Sequence, residues 1–221
     1  MKTPSSPPHL RCPGRTDVLA PHPRRRRSRP TGVRRQVAIV GCGPAGCYTA
    51  QAILRLAPDA RITVFDARPT PFGLVRYGVA ADHQGMKNVT KQFERIFASD
   101  RVEFVGNTRI GEEIGLAELE QNFDAVVLAT GLPEDRPLAV PVTGAARVIG
   151  AGQLLRFLNG DPDSLIRTGG PTRLGGEVVV IGAGNVAMDV ARLLCKTTTD
   201  LTDQTSTTMH ATPWRRRTFV I

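Results

Sequence analysis

The stretch QVAIVGCGPAGCY, residues 36–48, decides the fold expected for this chain. Its first five residues are mostly apolar, a glycine-rich loop follows, and an apolar-periodic segment continues over residues 50–56. This order predicts a strand, a tight turn and a helix. Gly41 suits a sharp turn off the strand, Gly43 lets the backbone approach a diphosphate, and Gly46 lets the helix pack closely on the strand.

The start of the expected helix offers a site for anions. Pro44 suits the first turn of a helix, where its missing N–H is no loss. The free amides and the positive dipole end of that helix would face a phosphate group. The loop therefore predicts a phosphate site at the end of the first strand.

An acidic residue at the end of a second strand points to a dinucleotide. The run RITVF, residues 61–65, ends at Asp66, which lies 25 residues after Gly41. A carboxylate at the tip of this strand can accept hydrogen bonds from both hydroxyls of an adenosine ribose. Strand, loop, helix and acid together favour dinucleotide binding, whereas the loop alone would also fit a glycine-rich turn that holds no ligand.

The positive charge of the chain is confined to its start. The 221 residues carry 29 Lys and Arg against 20 Asp and Glu, a formal net charge of +9. Residues 1–35 hold Lys2, nine arginines and one acid, Asp17, so the rest of the chain has 19 basic and 19 acidic residues. A neutral body argues against a nucleic-acid-binding globular face, and we expect no nucleic-acid partner.

Four cysteines, Cys12, Cys42, Cys47 and Cys195, form no C-x-x-C pair and have no histidine at metal-ligand spacing. We therefore expect no metal site. A redox disulfide between Cys42 and Cys47 would have to form across the phosphate loop, so we interpret both as small buried thiols. This cysteine usage is compatible with a reducing cytoplasm, which is the expected location.

Residues 1–33 contain seven prolines, four consecutive arginines at 24–27 and no apolar periodicity, so we expect a disordered extension. Three interpretations of it stay open. It is an Arg-rich transit peptide, which would place the chain in the mitochondrial matrix, or an arm that touches anionic surfaces, or an extension without a function of its own. No apolar run approaches the length of a membrane span, so none is expected.

Between the first acid and the second glycine loop, strands, helices and loops alternate. Two prolines and two glycines in residues 67–83 predict an extended, shaped loop rather than a long helix. The remaining expected elements are a helix over 87–97, a strand over 101–105, a short helix over 116–121, a strand over 123–129 that stops at Thr130 and Gly131, a loop over 132–148, and a helix over 151–159 closed by Gly160.

A second strand, turn and helix pattern, EVVVIGAGNVAMDVARLL, occupies residues 177–194. Its loop reads G-x-G-x-x-A, because Ala187 replaces the third glycine, a change that nicotinamide sites allow. Two such loops about 140 residues apart predict two dinucleotides, one at each loop. A second loop that is only a decayed repeat is the alternative.

Few residues follow Leu194 for a doubly wound domain, which needs several more strands. Residues 218–221 predict the next strand, and the three arginines at 215–217 precede it, so we give them no phosphate role. We expect an α/β fold with an extension over 1–33, a Rossmann-like domain with a three-layer, mostly parallel sheet over 34–150, and the start of a second Rossmann-like domain over 151–221.

Four motifs in this order resemble the flavoprotein ferredoxin–NADP reductases of the adrenodoxin-reductase type. They are GCGPAG at 41–46, PTPFGLVRYGVAADH at 69–83, VVLATG at 126–131 and GAGNVAMDVARLL at 182–194. The likeness departs from the family at 156–160, RFLNG, where the family has a Trp-Tyr-Asn-Gly signature. Members of the family continue beyond this point with paired arginines and a covering C-terminal part, so the chain resembles a member truncated at its C-terminus.

The resemblance implies FAD in the first domain and NADP(H) in the second. The residues implied to contact FAD are Gly41, Gly43, Ala45, Gly46, Asp66, Leu74, Ile110, Thr130 and Gly131. Those implied to contact NADP are Gly182, Ala183, Gly184, Asn185 and Val186, with Arg136 as a further candidate.

The resemblance also implies a reaction: hydride transfer from C4 of the nicotinamide to N5 of the flavin, then single-electron delivery to a ferredoxin-like iron–sulfur protein. His83 matches a histidine near the flavin and is the candidate catalytic residue, a proton relay at neutral pH. A hydrogen-bonded structural histidine beside Asp82 is the alternative.

Two other functions stay open: a catalytically silent product that keeps a site for FAD or another adenine nucleotide, and an RNA or membrane-surface binder that acts through the arginines near the start.

Overall fold

The computed structural model describes residues 34–132, 134–139, 141, 148–164, 166, 177–196 and 218–220. The expected extension over 1–33, Cys12 and the three arginines at 215–217 lie outside these residues. The strands described are β1 Gln36–Val40, β2 Arg61–Phe65, β3 Val102–Val105, β4 Ala125–Leu128, β5 Glu177–Val180 and β6 Thr218–Val220. The helices described are α1 Pro44–Leu56, α2 Gly73–Tyr77, α3 Gln84–Lys87, α4 Val89–Phe97, α5 Leu116–Asn122, α6 Ala151–Leu158 and α7 Asn185–Cys195.

Backbone contacts divide the chain into two compact units. The first unit contains the described residues up to Val75 together with Asn88–Gly131. The second contains Arg76–Lys87 together with the described residues from Leu132 onward. The segment 76–87 therefore belongs to the unit of α6 and α7. The expected domains over 34–150 and 151–221 stay predictions.

The first unit is built on a four-stranded parallel sheet in the order β3-β2-β1-β4. In β1, Gln36 lies opposite Arg61 of β2, and Val37 lies opposite Ala125 of β4. Parallel neighbours need connections that cross over a face of the sheet, which α1 and α4 supply. The four strands lie within two residues of their expected bounds, and the α/β class is confirmed.

Both faces of this sheet are covered, because successive residues of a strand point to opposite sides. The strand residues buried together on one face, with Ala50 of α1 and Phe93, Ile96 and Phe97 of α4, are Val37, Ile39, Ile62, Val64, Val102 and Phe104. Those buried together on the other face, with Leu119 of α5, are Ala38, Val40, Phe65 and Val105. The result is the expected arrangement of helices on both sides of a sheet.

The helix α1 begins at Pro44, as expected, and its C-terminal carbonyls are capped from a distant part of the chain. The guanidinium of Arg101 donates to the carbonyl oxygens of Leu54 at 3.0 Å, Ala57 at 3.3 Å and Pro58 at 3.1 Å. These carbonyls have no partner within the helix. Arg101 immediately precedes β3, so the cap also ties α1 to the start of that strand.

The segment after β2 is less extended than expected. Residues 67–83 were expected to form a loop, yet Gly73–Tyr77 forms the short helix α2 within it. Pro69 and Pro71 precede this helix, so they block helical structure only before Phe72. The helix expected over 87–97 begins at Val89 instead, because residues 84–87 form the separate helix α3.

The second unit contains a second parallel strand pair and the helices α6 and α7. β5 pairs in parallel with β6, which is the strand expected near the end of the sequence. The apolar residues of α6 and α7 that share one buried cluster are Leu154, Leu155, Leu158, Val190 and Leu193, and Val178 and Val180 of β5 pack against them. Gly160 closes α6 with a left-handed φ of +68°.

The expected state of Cys42 and Cys47 is confirmed, since both thiols are free and buried. A hydrogen bond with Cys47 and burial raise the pKa of the Cys42 thiol, which keeps it protonated and unreactive. In the part of the chain that the structure describes, no three His, Cys, Asp or Glu side chains lie close enough together to hold a metal ion. Nor does that part include a helix with the length and apolar character that crossing a bilayer requires.

Candidate functional site

The first glycine loop connects β1 to α1 and is tightly enclosed by backbone. Gly41 has a φ of +104°, in the left-handed region that favours glycine. A Cβ at this position would overlap the carbonyl oxygen of Ala129 and lie 3.1 Å from the Cα of Thr130. The Gly41 N–H donates to the Phe65 carbonyl oxygen at 2.7 Å. The structure therefore brings Thr130 and the end of β2 to the loop.

The other two glycines of this loop differ in what surrounds them. A Cβ at Gly46 would overlap the carbonyl oxygen of Gly41, so only glycine permits this approach of helix to loop. A Cβ at Gly43 would meet nothing within 4 Å, and the φ of Gly43, −77°, is one that any residue can adopt. Gly43 is the N-cap of α1, so the open space adjoins the unpaired amides of the helix. This cradle fits a diphosphate.

Asp66 lies at the end of β2 and contacts the glycine loop. Its Oδ2 accepts a hydrogen bond from the Cys42 N–H at 2.7 Å, and its Oδ1 accepts one from the Arg68 N–H at 2.9 Å. The Thr108 N–H donates to the Asp66 carbonyl oxygen at 2.9 Å. Each carboxylate oxygen has a second lone pair, so the pair of hydrogen bonds leaves capacity for a ribose.

Residues that follow Asp66 pack back onto the loop, a contact that the sequence did not predict. Phe72 has a φ of +87°, and its N–H donates to the Cys42 carbonyl oxygen at 2.8 Å. A Cβ at Gly73 would lie 3.0 Å from the Cα of Gly43. Leu74 comes next on α2 and is 56% exposed. The only sequence feature that could have predicted this contact is the Phe-Gly pair after two prolines. Such a pair indicates a turn, but it does not indicate which part of the chain the turn contacts.

Three further residues of the expected FAD set lie in the same unit. Ala45 is exposed in the first turn of α1, and Gly131 is exposed with a left-handed φ of +70°. Ile110 is half-buried, forms a bridge to Ile114 and packs on the cluster that contains Phe65. Its role as a cofactor contact stays a prediction.

The second glycine loop lies between β5 and α7 and shares two features with the first, a first glycine with a left-handed φ and open space at the N-cap glycine. Gly182 has a φ of +122°, and a Cβ there would lie 3.8 Å from the Cβ of Ala187. This distance is an ordinary van der Waals contact, so the Ala187 methyl group does not crowd Gly182. A Cβ at Gly184, the N-cap of α7, would meet nothing within 4 Å. The loop therefore has the same open space beside unpaired helix amides.

The remaining members of the expected NADP set are exposed in the second unit. Ala183, Asn185 and Val186 lie at or just before the first turn of α7. Arg136 is exposed in the segment that precedes α6. Their positions are compatible with the expected contacts, which stay predictions.

His83 lies in the second unit, in the segment 76–87. Its Nδ1 is buried, has no hydrogen-bond partner among the described residues, and lies 3.6 Å from Oδ2 of Asp189 on α7. The side chain as a whole is 40% exposed. The structure thus pairs the imidazole with a carboxylate that sequence reasoning did not single out, because the two residues are far apart along the chain.

Asp82, next to His83, lies in a network of charged groups. Arg192 donates to it through Nε at 3.0 Å and Nη2 at 2.7 Å, and Lys196 Nζ lies 2.7 Å from its Oδ2. The hydrogen bonds from Arg192 hold the pKa of the Asp82 carboxyl well below its usual range, although burial opposes them. The same pair raises the pKa of the Arg192 guanidinium. Asp82 and Arg192 are therefore both charged at neutral pH.

Asn159 at the end of α6 is a second anchor of the same segment. Its Nδ2 donates to the carbonyl oxygens of Tyr77 at 3.1 Å and Val79 at 3.0 Å, and its Oδ1 accepts a hydrogen bond from Lys87 Nζ at 2.6 Å. Burial lowers the pKa of Lys87, and the charge of Arg76 lowers it further. Asn159 lies in RFLNG, where the sequence departs from the Trp-Tyr-Asn-Gly signature of the resembled family. Only the Asn-Gly pair of that signature is kept, and it was the one sequence feature that could have pointed to Asn159.

Comparisons with known proteins agree with this geometry. Cindoxin reductase of Citrobacter braakii is 50% identical over 160 residues, which are 72% of this chain and 34% of the relative. NADPH:adrenodoxin oxidoreductase of Arabidopsis thaliana, named as mitochondrial, is 40% identical over 166 residues, 75% of this chain and 34% of the relative. The structure of Mycobacterium tuberculosis FprA in complex with NADPH superposes with a TM-score of 0.70 at 36% identity, covering 76% of this chain and 38% of that chain.

These relatives confirm the resemblance to ferredoxin–NADP reductases of the adrenodoxin-reductase type. This chain spans about a third of the length of the curated relatives that it matches. Residues 35–214 match the family described as pyridine nucleotide-disulphide oxidoreductase. That match covers most of the chain and includes both glycine loops, so the chain belongs to the pyridine nucleotide-disulphide oxidoreductase family.

Proposed function

We propose that this chain holds FAD at its first glycine loop and NADP(H) at its second, as a flavin-dependent oxidoreductase of the ferredoxin–NADP reductase type. The observation that carries the proposal is the pair of strand, loop and helix units, each with open space beside the N-cap glycine of its helix. The names of the relatives, which include NADPH:adrenodoxin oxidoreductase, support the choice of NADP(H) as one of the two cofactors.

In the first unit, the chain's own groups bind and orient the flavin cofactor. The amides at the start of α1 bind its diphosphate, because they are unpaired and lie at the positive end of the helix dipole. Asp66 accepts hydrogen bonds from the ribose while its bond to Cys42 keeps the loop in place. Leu74, Ile110, Thr130 and Gly131 provide further contacts.

In the second unit, the amides at the start of α7 bind the diphosphate of NADP(H), and Arg136 supplies a positive charge. His83 holds or releases a proton during the reaction. When bound, the two cofactors supply hydride transfer from nicotinamide to flavin and one-electron delivery to a ferredoxin-like iron–sulfur acceptor. The chain positions them and excludes competing reactions.

A titration of the purified chain tests this proposal. We expect added FAD to acquire the spectrum of a bound flavin, and anaerobic NADPH to bleach it. Reduction of cytochrome c through an added ferredoxin then tests electron delivery. A folded, colourless protein that ignores FAD would contradict the proposal.

Two matched variants separate the sites. Gly43→Ala and Gly184→Ala each add one methyl group to open space, at a backbone conformation that alanine adopts readily. We expect Gly43→Ala to weaken FAD binding by at least about 10-fold and Gly184→Ala to weaken NADPH binding by a similar factor, because each methyl occupies the place of a phosphate. If each variant weakened both cofactors equally, the assignment of one cofactor to each loop would fail.

A catalytically silent product is the alternative function, because this chain spans about a third of its relatives' length. It predicts FAD or ADP binding without reduction of ferredoxin or cytochrome c, and measured turnover would exclude it.

We assign the chain to the cytoplasm, with the mitochondrial matrix as the alternative that mitochondrial relatives favour. Import of the full chain by isolated mitochondria, compared with a chain that lacks residues 1–33, distinguishes the two locations.

A further inference from the structure

The segment 76–87 carries the most buried ion pair described in the second unit. The Asp82 side chain is only 5% exposed, and both of its oxygens are engaged, Oδ1 by Arg192 and Oδ2 by Arg192 and Lys196. Arg192 uses the planar fork of its guanidinium for this bidentate contact, which fixes direction as well as distance. The bidentate contact with Arg192 therefore fixes the position of the Asp82 side chain against α7.

Arg192 reaches a second carboxylate beside His83. Its Nη1 donates to Oδ1 of Asp189 at 2.7 Å, and Oδ2 of the same carboxylate lies 3.6 Å from Nδ1 of His83. One guanidinium thus joins the acid that precedes His83 in the chain to the acid that faces its ring. The charges of Lys196, Asp82, Arg192 and Asp189 balance, so no net charge is buried by the network.

We propose that Arg192 is the positioning residue for His83: with Asp82 it fixes the segment 76–87 on α7, and with Asp189 it fixes the carboxylate that faces the imidazole. The inference rests on the proposed function in one respect, the use of His83 in the reaction. The anchoring itself does not depend on any bound cofactor. Because Nδ1 is buried toward Asp189, the exposed part of the ring lies away from that nitrogen.

Asn159 anchors a different part of the same segment, which gives the proposal an internal comparison. It holds the carbonyl oxygens of Tyr77 and Val79, whereas Arg192 holds Asp82. Loss of Asn159 should therefore loosen residues 77–80, and loss of Arg192 should loosen residues 81–87. A segment held by packing alone would respond in the same way to either change.

Hydrogen exchange in the full chain tests the anchoring without any activity. We expect Arg192→Met to speed exchange in residues 81–87 by about 10-fold or more, Arg192→Lys to have a smaller effect, and Asn159→Ala to act mainly on residues 77–80. Arg95→Met, on an exposed residue in the last turn of α4, is the control and should leave the segment unchanged. Unchanged exchange in Arg192→Met would overturn the proposal. If Arg192→Met does not fold, Asp82→Asn and Arg192→Lys decide in its place.

Kinetics test whether the anchoring serves His83. We expect Arg192→Met to lower kcat for NADPH oxidation by about 10-fold. KM should change little, because Arg192 lies seven residues past the start of α7, about 10 Å along the helix axis from the amides proposed to bind the diphosphate. Arg192→Lys should restore part of the rate. In a His83→Ala background the same change should cause no further loss. Independent, additive losses would overturn the positioning role, whereas a chain without any NADPH oxidation would contradict the proposed function and leave the exchange result to decide the anchoring.

Discussion

A methyl group added at Gly46 would overlap the carbonyl oxygen of Gly41, whereas one added at Gly43 would meet nothing within 4 Å. The two glycines of one loop therefore serve different purposes. Gly46 is required by the packing of α1 on the loop, whereas no contact within 4 Å requires glycine at position 43, so a requirement there would come from the ligand that we propose. Substitution distinguishes the two purposes, because folding and binding are measured separately.

We expect Gly46→Ala to destabilise the first unit by about 3 kcal/mol, since the atom it would overlap belongs to the backbone and cannot rotate away. Gly43→Ala should cost less than about 1 kcal/mol, the loss of a favourable N-cap residue. Urea denaturation of both variants without added cofactor measures the difference. Equal destabilisation by the two changes would show that the space beside Gly43 is filled in solution.

Asp82 predicts a dependence of stability on pH. Its folded-state pKa is lowered by hydrogen bonds from Arg192, so its contribution is fully present above the ordinary pKa of about 4 and is lost as the pH falls toward the folded value. We expect Asp82→Asn to lower the free energy of unfolding by about 2 kcal/mol at pH 7 and by somewhat less at pH 3, where the folded carboxyl is still ionised but the unfolded one is largely protonated. Denaturant titrations at the two pH values measure this. A deficit that is the same at both would show that the carboxylate charge is not what stabilises the segment.

At the scale of elements, helices in this chain are capped by residues far away in sequence. Asp135 accepts hydrogen bonds from the N–H groups of Gly152 at 3.0 Å and Gln153 at 2.9 Å, in the first turn of α6. A Cβ at Gly150 or Gly152 would overlap its carboxylate. The carboxylate therefore satisfies two unpaired amides and lies at the positive end of the helix dipole.

We expect Asp135→Ala to lower stability by about 1 to 2 kcal/mol, the usual cost of a lost N-terminal cap. Glu134→Ala is the matched control, since the neighbouring Glu134 is exposed, and should change stability by less than about 0.5 kcal/mol. Thermal unfolding of both variants provides the measurement. A larger effect from Glu134 than from Asp135 would refute the capping role.

At the scale of the whole molecule, the two units differ in how completely their sheets are covered. In the first unit, β1 and β2 each have two neighbouring strands and apolar cover on both faces. In the described part of the second unit, β5 pairs with β6, and Val179 and Ile181 are 44% and 48% exposed. Burial of apolar surface is the main source of folding stability, so the first unit should be the more stable.

Hydrogen exchange along the intact chain tests this difference. We expect amides of β1 and β2 to exchange at least about 100-fold more slowly than those of β5 and α7, because the first sheet opens only on global unfolding. Added FAD should increase protection in the first unit, and NADPH in the second. Equal protection of both units in the absence of cofactor would contradict the expectation.

The sequence by itself determined the order of strands, glycine loops and helices, and hence the α/β class and the two candidate dinucleotide sites. These features depend on local patterns: apolar runs, glycines at fixed spacing, and Asp66 at a strand end. Even Pro44 and Gly160 acted as expected at the helix ends. Local chemistry was sufficient because each motif carries its own geometry.

Only the tertiary structure decided which distant residues meet. It placed Phe72 on the Cys42 carbonyl, joined Asp82 to Arg192 across 110 positions of the chain, and held Tyr77 and Val79 with Asn159. It also assigned residues 76–87, with the candidate His83, to the unit of α6 and α7. No periodicity or spacing encodes such pairs, because they arise when packing brings elements together, after each local structure has already been specified.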